Sequence, residues 1–437
     1  MLRSLARSPV FAAFAPSGRA RDGAASLSPS EQIVRTVFIL ELLAVVVFQK
    51  VGVPVGETSI ALGLPAMWAG LAAIALSSRL LLDPIRLLLF SAFGVSALIS
   101  QLMVGREFSG ASMFLALSLY IPMCVRLKVS RALYLSCLNA FQVLMLIMLA
   151  VVVAQHLVQL TVGWRYWPDL DKILPPMLRV PHFNYLQPMA YGSRFEKPNG
   201  IVFLEVSYLS QFAALALIVE AVYFRRIWRL AAFALLVLLT FAGTGILILA
   251  VTAPLLLSRE GPRTFALAVA GAGVLIAVAI VTGWFHAIEG RIFEFQQQGT
   301  SGYYRFVVPA REMFDRARDP GFLLTGIGAG NTPLTIESPL APVKVASEYG
   351  FVPMLLFCVF FVYAMFAGAP SKRLSLGFLA FYLLGGASFA LALPVLSCVL
   401  FCTLLYPSGE ERHSEHRSWW KNAQPTPARA LGDGRGG

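Results

Sequence analysis

The stretch "ALYLSCLNAFQVLMLIMLAVVVAQHLVQ", residues 132–159, decides the fold class of this chain of 437 residues. It carries no Asp, Glu, Lys or Arg, and a helix that spans a membrane needs about 20 mainly apolar residues. Similar stretches recur from residue 33 to residue 406. Only 13% of the residues are charged, about half the usual share of a soluble protein. The sequence therefore predicts a polytopic membrane protein. The continuously apolar stretches exclude a β-barrel, whose strands alternate polar and apolar residues.

We predict an all-α polytopic integral membrane protein with about 12 transmembrane helices and two large periplasmic loops. The predicted spans are 33–49, 60–78, 85–103, 110–127, 132–159, 201–223, 228–242, 244–257, 264–285, 345–367, 375–389 and 391–406. Four of them are short and form two pairs, which turn at "AGTG" and near "GGASFALALP". Each pair could instead be one long tilted helix. Paired helices place the basic turns "SSRLLLDPIR", "RLKVSR", "FRRIWR", "SREGPR" and "PSKR" on the cytoplasmic side, as the positive-inside rule requires.

The same topology divides the chain into a membrane domain, residues 33–406, and two tails. Residues 1–32 form a basic N-terminal tail that we predict to be cytoplasmic, although a transit peptide has a similar composition. Residues 407–437 are polar and rich in Gly, Pro and Arg, which predicts a disordered cytoplasmic tail. The two long loops, about 160–200 and 286–344, fall on the opposite side. Irregular loops of this length usually carry function.

Composition excludes several function classes. The net charge of +12 resides in short loops and tails, as membrane orientation requires, and no basic patch with interleaved aromatics indicates binding of nucleic acid. The five cysteines lie in apolar spans without a CxxC pair, so they indicate packing rather than a disulfide or a metal site. A phosphate-binding GxxxxGK[ST] motif is absent. The absence of this motif argues against an ATP-driven machine.

The first long loop and the span after it carry the strongest candidates for chemistry. The loop holds His182, Arg194, Glu196 and Lys197 beside many aromatic residues, and "IVFLEVSYLSQF" then places Glu205 inside an apolar segment. If a helix begins near residue 200, Glu205 lies about 7–8 Å along it. An acidic side chain at that depth is costly and usually faces a polar cavity. Pairing with a loop arginine purely for packing is the alternative interpretation.

The second long loop contains an amphipathic pattern at residues 303–317, which predicts a helix at the outer interface. Arg305 stands at its start and Arg311 on its polar side. The sequence "GIGAG", residues 326–330, predicts a closely packed turn. It lacks the strand of a nucleotide-binding fingerprint.

Three stretches together resemble the superfamily of O-antigen ligases and polymerases, and most closely its Wzy-type polysaccharide polymerases. They are "SRFEKPNGIVFLEVSYLSQFAALALIVE" (193–220), "LTFAGTGILIL" (239–249) and "YYRFVVPAREMFDRARDPGFLLTGIGAGN…ASEYGFVPMLLF" (303–357). O-antigen ligases typically carry a His-Asn pair about nine residues before their Glu-x-Gly motif. This chain reads "ESPLAPVKVASEYG" there, which favours a polymerase. The spacing from Arg291 to Gly302 also matches an Arg-x10-Gly pattern of some polymerases.

The resemblance implies a metal-independent glycosyltransferase of the bacterial inner membrane, with no metal and no cofactor. Such an enzyme joins undecaprenyl-pyrophosphate-linked oligosaccharide repeats at the periplasmic face, in exopolysaccharide, capsule or O-antigen biosynthesis. Its partners would be that lipid-linked oligosaccharide, membrane lipid, a chain-length regulator and a flippase. Arg194 and Arg305 would hold the pyrophosphate, supported by Lys197, Arg291 and Arg311, because arginine forms two parallel hydrogen bonds with such groups. One of Glu205, Glu196 and His182 would orient or activate the acceptor.

Three other functions are weighed against this one. A ligase of the same superfamily would transfer the polymer to a lipid or protein acceptor. A transporter or flippase for lipid-linked glycan would place its ionisable residues near the middle of the bilayer, whereas here they cluster at the outer edge. A lipid-phosphate-sugar transferase would need acidic residues in the first external loop, where Glu57 stands alone.

Overall fold

The computed structural model describes residues 27–407 apart from 56–57, 78–79, 106, 164–165, 167–169, 171–172, 181–182, 184–185, 190–192, 258–297, 299–302, 304–306, 333–338, 385–388 and 390. In these ranges the chain is mostly helical. Three helices are long and apolar enough to cross a membrane: Pro84–Met103, Arg131–Thr161 and Val206–Phe224. This content is compatible with the membrane protein that the sequence predicts.

The helices follow the predicted apolar stretches in chain order. They are α1 (Pro29–Val46), α2 (Gly63–Ser77), α3 (Pro84–Met103), α4 (Gly110–Tyr120), α5 (Arg131–Thr161), α6 (Val206–Val219), α7 (Ile227–Leu239), α8 (Gly243–Leu257), α9 (Val308–Arg316), α10 (Pro320–Thr325), α11 (Ala341–Tyr349), α12 (Phe351–Phe366), α13 (Lys372–Leu384) and α14 (Ala392–Cys398). Glu220–Phe224 continues α6 and Val399–Thr403 continues α14, each as a π-helical turn.

Eleven of the twelve predicted spans coincide with described helices, and the twelfth, 264–285, lies outside the described residues. The count of twelve membrane crossings stays a prediction. Both short pairs are separate helices, since α7 ends before α8 begins and α13 ends before α14 begins. In the first turn the left-handed backbone belongs to Phe241, at φ 53°.

Local sequence explains where several helices begin. Ser28 forms a capping box with Glu31 at the start of α1, and Ser130 accepts a hydrogen bond from the backbone of Leu133 at the start of α5. Asp83 caps α3 by accepting from two backbone N–H groups, with Pro84 at the first helical position. Such residues satisfy the free N–H groups that every helix start presents.

The prediction of an all-α fold needs a correction, because five short strands in the described residues form two small sheets. Gly52–Val55 (β1) and Thr58–Ala61 (β2) form an antiparallel hairpin. Leu80–Leu82 (β3), Val125–Val129 (β4) and Leu405–Pro407 (β5) form a sheet in that spatial order, antiparallel between β3 and β4 and parallel between β4 and β5. The segments between helices pair with one another because their backbone groups need hydrogen-bond partners.

These sheets separate two ends of the molecule. The sheet of β3, β4 and β5 joins turns that we predict to be cytoplasmic, and it lies at the start of α3. The 20 residues of α3 span about 30 Å and lead to Ser109, whose N–H donates to Ala329 in the second long loop. At this second end the β1–β2 hairpin also meets the first long loop, since Val180 donates to the carbonyl oxygen of Lys50. Segments predicted to lie on one side of the membrane therefore contact one another.

Buried polar groups tie the sheet end together. The guanidinium of Arg86 is almost fully buried and donates to the carbonyl oxygens of Met123, Ala367 and Thr403 at 3.0–3.1 Å. Asp83 pairs with Arg126 at 2.8 Å. A buried arginine needs such partners because an unpaired one would destabilise the fold by several kcal/mol. One hydrophobic core runs through the helices, and the described cysteines are free and at least partly buried within it, as predicted.

Candidate functional site

Near the end of the first long loop, residues 187–189 pair with residues 195–197 as the two arms of an irregular hairpin. Met189 donates to the carbonyl oxygen of Phe195 at 2.8 Å, and Lys197 donates to that of Gln187 at 2.7 Å. Ser193 accepts a hydrogen bond from the N–H of Phe195, which makes a tight turn around Arg194. Arg194 is therefore exposed near the tip of the hairpin, and Lys197 is buried at its base.

Two glutamines of α5 fix this hairpin to the end of that helix. Gln159 accepts from the backbone N–H of Glu196 at 2.7 Å and donates to its carbonyl oxygen at 3.0 Å. Gln155, one turn earlier on the same face, accepts from the N–H of Gly200 at 2.8 Å and donates to Asn199 at 3.2 Å. Residues 193–205, which we call the charged segment, thus rest on a helix of 31 residues.

Glu205 lies at the start of a helix rather than inside one, which corrects the prediction. The helix begins at Val206, and Glu205 has an extended backbone, at φ −142° and ψ 157°. The backbone of Gly200 (φ 65°) and Ile201 (φ 68°) is left-handed, so the chain turns there instead of starting a helix. The Glu205 residue is only 8% exposed, and its Oε2 accepts from the hydroxyl of Ser207 at 2.9 Å. A carboxylate at this position is favoured by the positive end of the helix dipole.

The turn between α7 and α8 packs beneath Glu205. Thr244 donates to the carbonyl oxygen of Ser207 at 3.1 Å, and Gly245 donates to the hydroxyl of Ser210 at 3.2 Å. A Cβ at Gly245 would overlap the backbone of Ser210, so only glycine permits this approach. His156 of α5 lies within 2.9 Å of the carbonyl oxygen of Leu239 at the end of α7. Four helices, α5 to α8, therefore converge under the charged segment.

Burial changes the properties of Glu196. Its Oε2 is buried and has no hydrogen-bond partner among the described residues. The same burial raises the pKa of the Glu196 carboxyl above its ordinary value of 4.5, because desolvation disfavours the charged form. A carboxylate with a raised pKa is a better proton acceptor near neutral pH than an ordinary one.

The remaining site predictions divide into two groups. His182, Arg291 and Arg305 lie outside the described residues. Arg311 lies on α9, the described part of the predicted amphipathic helix, which begins at Val308. Its side chain is 75% exposed and stands 4.0 Å from the carboxylate of Asp315, a surface pair of little energetic weight. Arg194, Glu196, Lys197 and Glu205 all lie on the charged segment, whereas Arg311 lies on a helix that packs on α11.

The glycine turn, Gly326–Gly330, is closely packed as predicted. Ile327 and Gly328 donate to the carbonyl oxygens of Ser347 and Glu348 at the end of α11. Gln101 of α3 accepts from the N–H of Ala329 at 2.7 Å and donates to the carbonyl oxygen of Glu348 at 3.0 Å. These N–H groups are already bonded within the protein, so they cannot bind an anion.

Glu348 itself is buried beside the glycine turn and lies near the end of α11. Its Oε1 accepts from the hydroxyl of Thr332 at 2.6 Å and lies 3.4 Å from the ammonium group of Lys344. Gly350 then separates α11 from α12, with a left-handed backbone at φ 89°. The carboxylate thus joins the second long loop to α11.

The residues that hold the charged segment were not predicted from the sequence. Gln155 and Gln159 lie inside the stretch that decided the fold class, spaced one helical turn apart. Gln49 was missed too, and its side-chain oxygen accepts from the N–H of Leu204 at 3.3 Å. The available signal was this polar spacing in an otherwise apolar helix, since polar side chains at membrane depth usually have partners.

Among the residues that the structure describes, no three His, Cys, Asp or Glu side chains cluster as a metal site would require. The described part of the site consists of cations, carboxylates and amides on a rigid support. No protein-family profile, no curated protein and no solved structure matches this chain.

Proposed function

We propose that this protein is a bacterial polysaccharide polymerase of the inner membrane that acts at its periplasmic face. It would join undecaprenyl-pyrophosphate-linked oligosaccharide repeats, which is the reaction implied by its resemblance to Wzy-type polymerases. The twelve-span topology and the periplasmic position of both long loops are parts of the same proposal.

One observation carries the proposal: the charged segment holds two cations and two carboxylates on a single support at one end of a membrane-type helix. Arg194 is exposed there, while Lys197 and Glu205 are buried. A transferase for lipid-linked sugars needs this combination at a bilayer surface, since its donor has a hydrocarbon chain, a doubly charged leaving group and a polar sugar.

The proposed reaction assigns a task to each kind of group. The acceptor hydroxyl oxygen forms a bond to the anomeric carbon of the donor, and the bond from that carbon to the pyrophosphate oxygen breaks. Arg194 and Lys197 stabilise the negative charge that develops on the pyrophosphate. The hydroxyl proton passes to a carboxylate. Glu196 suits this step because its buried oxygen lacks a partner among the described atoms, and Glu205 would orient the acceptor.

The test is genetic complementation with single variants. A strain that lacks the gene is complemented with Arg194→Ala or with Arg305→Ala, and polymer and protein levels are both measured. We expect each variant to abolish polymer while the protein accumulates normally. Polymer of normal length and yield in both variants would rule out this assignment. A ligase would behave differently, because its inactive variants would accumulate finished lipid-linked polymer instead of single repeats.

A further inference from the structure

A large apolar groove lies between α2, α3 and α4. Its volume is about 860 Å³, and Val53 and Ile60 of the β1–β2 hairpin line one end of it. The lining contains no charged residue, and its polar side chains are those of Ser91 and Ser118. A volume of this size falls in the range of sites that bury a whole ligand.

The surroundings of the groove indicate hydrocarbon rather than water. Leu88 and Leu102 of α3 are 68% and 72% exposed, and Phe114 of α4 is 74% exposed. A soluble protein rarely exposes an apolar surface of this extent. Because α3 is one of the helices apolar enough to cross a membrane, its open face and the groove beside it would face the bilayer interior. The occupant that suits such a groove is a hydrocarbon chain.

The groove also ends close to the charged segment. Val53 lines the groove, and Val51 of the same strand end pairs with Arg179 of the first long loop. Gln49 bonds to the backbone of Leu204, the neighbour of Glu205. Val53 lies four positions after Gln49 in the chain, and an extended chain covers at most about 13 Å over that length. A lipid whose chain fills the groove and whose head group lies at the hairpin end would therefore carry that group close to Leu204, at the end of the charged segment.

We infer that this groove is the binding site for the polyprenyl chain of the lipid-linked sugar donor. The inference rests on the proposed function, and it adds a second contact that the charged segment alone would not provide. Charge complementarity selects this lipid over a zwitterionic phospholipid, because a pyrophosphate offers more negative charge to Arg194 and Lys197. The groove binds the chain in the bilayer and positions the pyrophosphate at its mouth.

Gly94 supplies a matched pair of variants. It lines the groove on α3, and a Cβ at this position would lie 3.7 Å from the side chain of Leu117, which is an ordinary contact. Gly94→Ala should therefore fit without disturbance, whereas Gly94→Phe should fill the groove. Leu98→Trp, one turn further along the same groove wall, gives a second filled variant. Thermal unfolding in detergent shows which of these variants fold.

The experiment is photolabelling of the purified full chain in nanodiscs of bacterial phospholipid. The probe is a polyprenyl pyrophosphate with a photoreactive group at the far end of its chain, and labelled peptides are mapped by mass spectrometry. We expect labels on α3 and α4 in the natural protein and in Gly94→Ala. Labelling should fall about tenfold in the filled variants, because loss of the contacts with the groove should raise the Kd of the probe by about a factor of ten.

Two results would overturn the inference. The first is labelling of other helices, or labelling that folded Gly94→Phe and Leu98→Trp both leave unchanged. The second is equal labelling by a phospholipid with the same photoreactive group, which unlabelled polyprenyl pyrophosphate fails to displace. The proposed function is tested by a separate measurement, polymer synthesis in cells. It fails if that synthesis is independent of this protein, even where the groove binds the polyprenyl chain.

Discussion

Two irregular segments of this protein are held by glutamines from long apolar helices. They differ in how many of their polar groups remain available to bind a substrate. Gln101 of α3 holds the glycine turn against α11, and Gln155 of α5 holds the charged segment. In the glycine turn the backbone N–H groups of residues 326–329 have partners, and a Cβ at Gly326 would lie 2.6 Å from the carbonyl oxygen of Ser347. On the charged segment Arg194 is exposed and one oxygen of Glu196 has no described partner. The first segment is a structural joint, and the second retains groups that can bind a substrate.

The largest effect should come from breaking the structural joint. A Cβ at Gly350 would overlap the carbonyl oxygen of Leu324, and its backbone is left-handed. We expect Gly350→Ala to lower the free energy of unfolding by about 4 kcal/mol, measured by denaturant titration in detergent micelles. Gly105→Ala is the matched control, since Gly105 has φ +61° and no described atom within 4 Å of its Cβ position. It should cost only about 1 kcal/mol. Equal losses in the two variants would contradict the close packing of Gly350.

Substitution of Arg194 should have the opposite effect, because it should lower activity and leave stability almost unchanged. Because this side chain is exposed at the tip of its loop, Arg194→Lys should leave the free energy of unfolding within about 0.5 kcal/mol of the natural value. Polymer synthesis should nonetheless fall about tenfold, since lysine cannot form the two parallel hydrogen bonds of a guanidinium. An in vitro assay with lipid-linked repeats measures the rate. A destabilised Arg194→Lys protein, or one of full activity, would mean that Arg194 has no such role.

The same substitution, glutamine to methionine, can be made in both segments and compares them directly. Gln101→Met and Gln155→Met each remove an amide and leave buried backbone groups unsatisfied, at about 1–3 kcal/mol per group. Both should lower the unfolding temperature. Gln155→Met should also reduce polymer synthesis, whereas Gln101→Met should reduce it only in proportion to the amount of folded protein. If activity per folded molecule falls equally in both, the glycine turn belongs to the site as well.

The sequence predicts the helices better than it predicts the site. Apolar stretches in a membrane protein have little choice of structure, because only a helix satisfies its own backbone groups there. Glu205 was misplaced because the left-handed turn at Gly200 and Ile201 stops the helix from starting early, and no local pattern signals such a turn at an isoleucine. The pairing of Gln155 and Gln159 with residues 196–200 joins positions about 40 residues apart, which one sequence cannot reveal.

The smallest effect concerns the protonation of Glu196. Burial raises the pKa of this carboxyl above 4.5, so the folded protein holds the proton more tightly than the unfolded chain does. Its contribution to stability is therefore greatest below pH 4.5 and is lost as pH rises through the raised pKa. Glu196→Gln should remove this pH dependence and be slightly more stable than the natural protein at neutral pH. If Glu196 is the base, the polymerisation rate should rise with pH over the same interval, and Glu196→Gln should abolish that rise.

The central claim is that this protein polymerises lipid-linked repeats, and the lipid-linked glycans of a strain that lacks the gene test it most directly. Undecaprenyl-linked oligosaccharides are extracted from the deletion strain and from the same strain complemented with the natural gene, and they are sized by mass spectrometry. We predict that single repeats accumulate in the deletion strain and that complementation restores long chains. Accumulation of finished polymer on its lipid carrier, or an unchanged glycan profile, would contradict the claim.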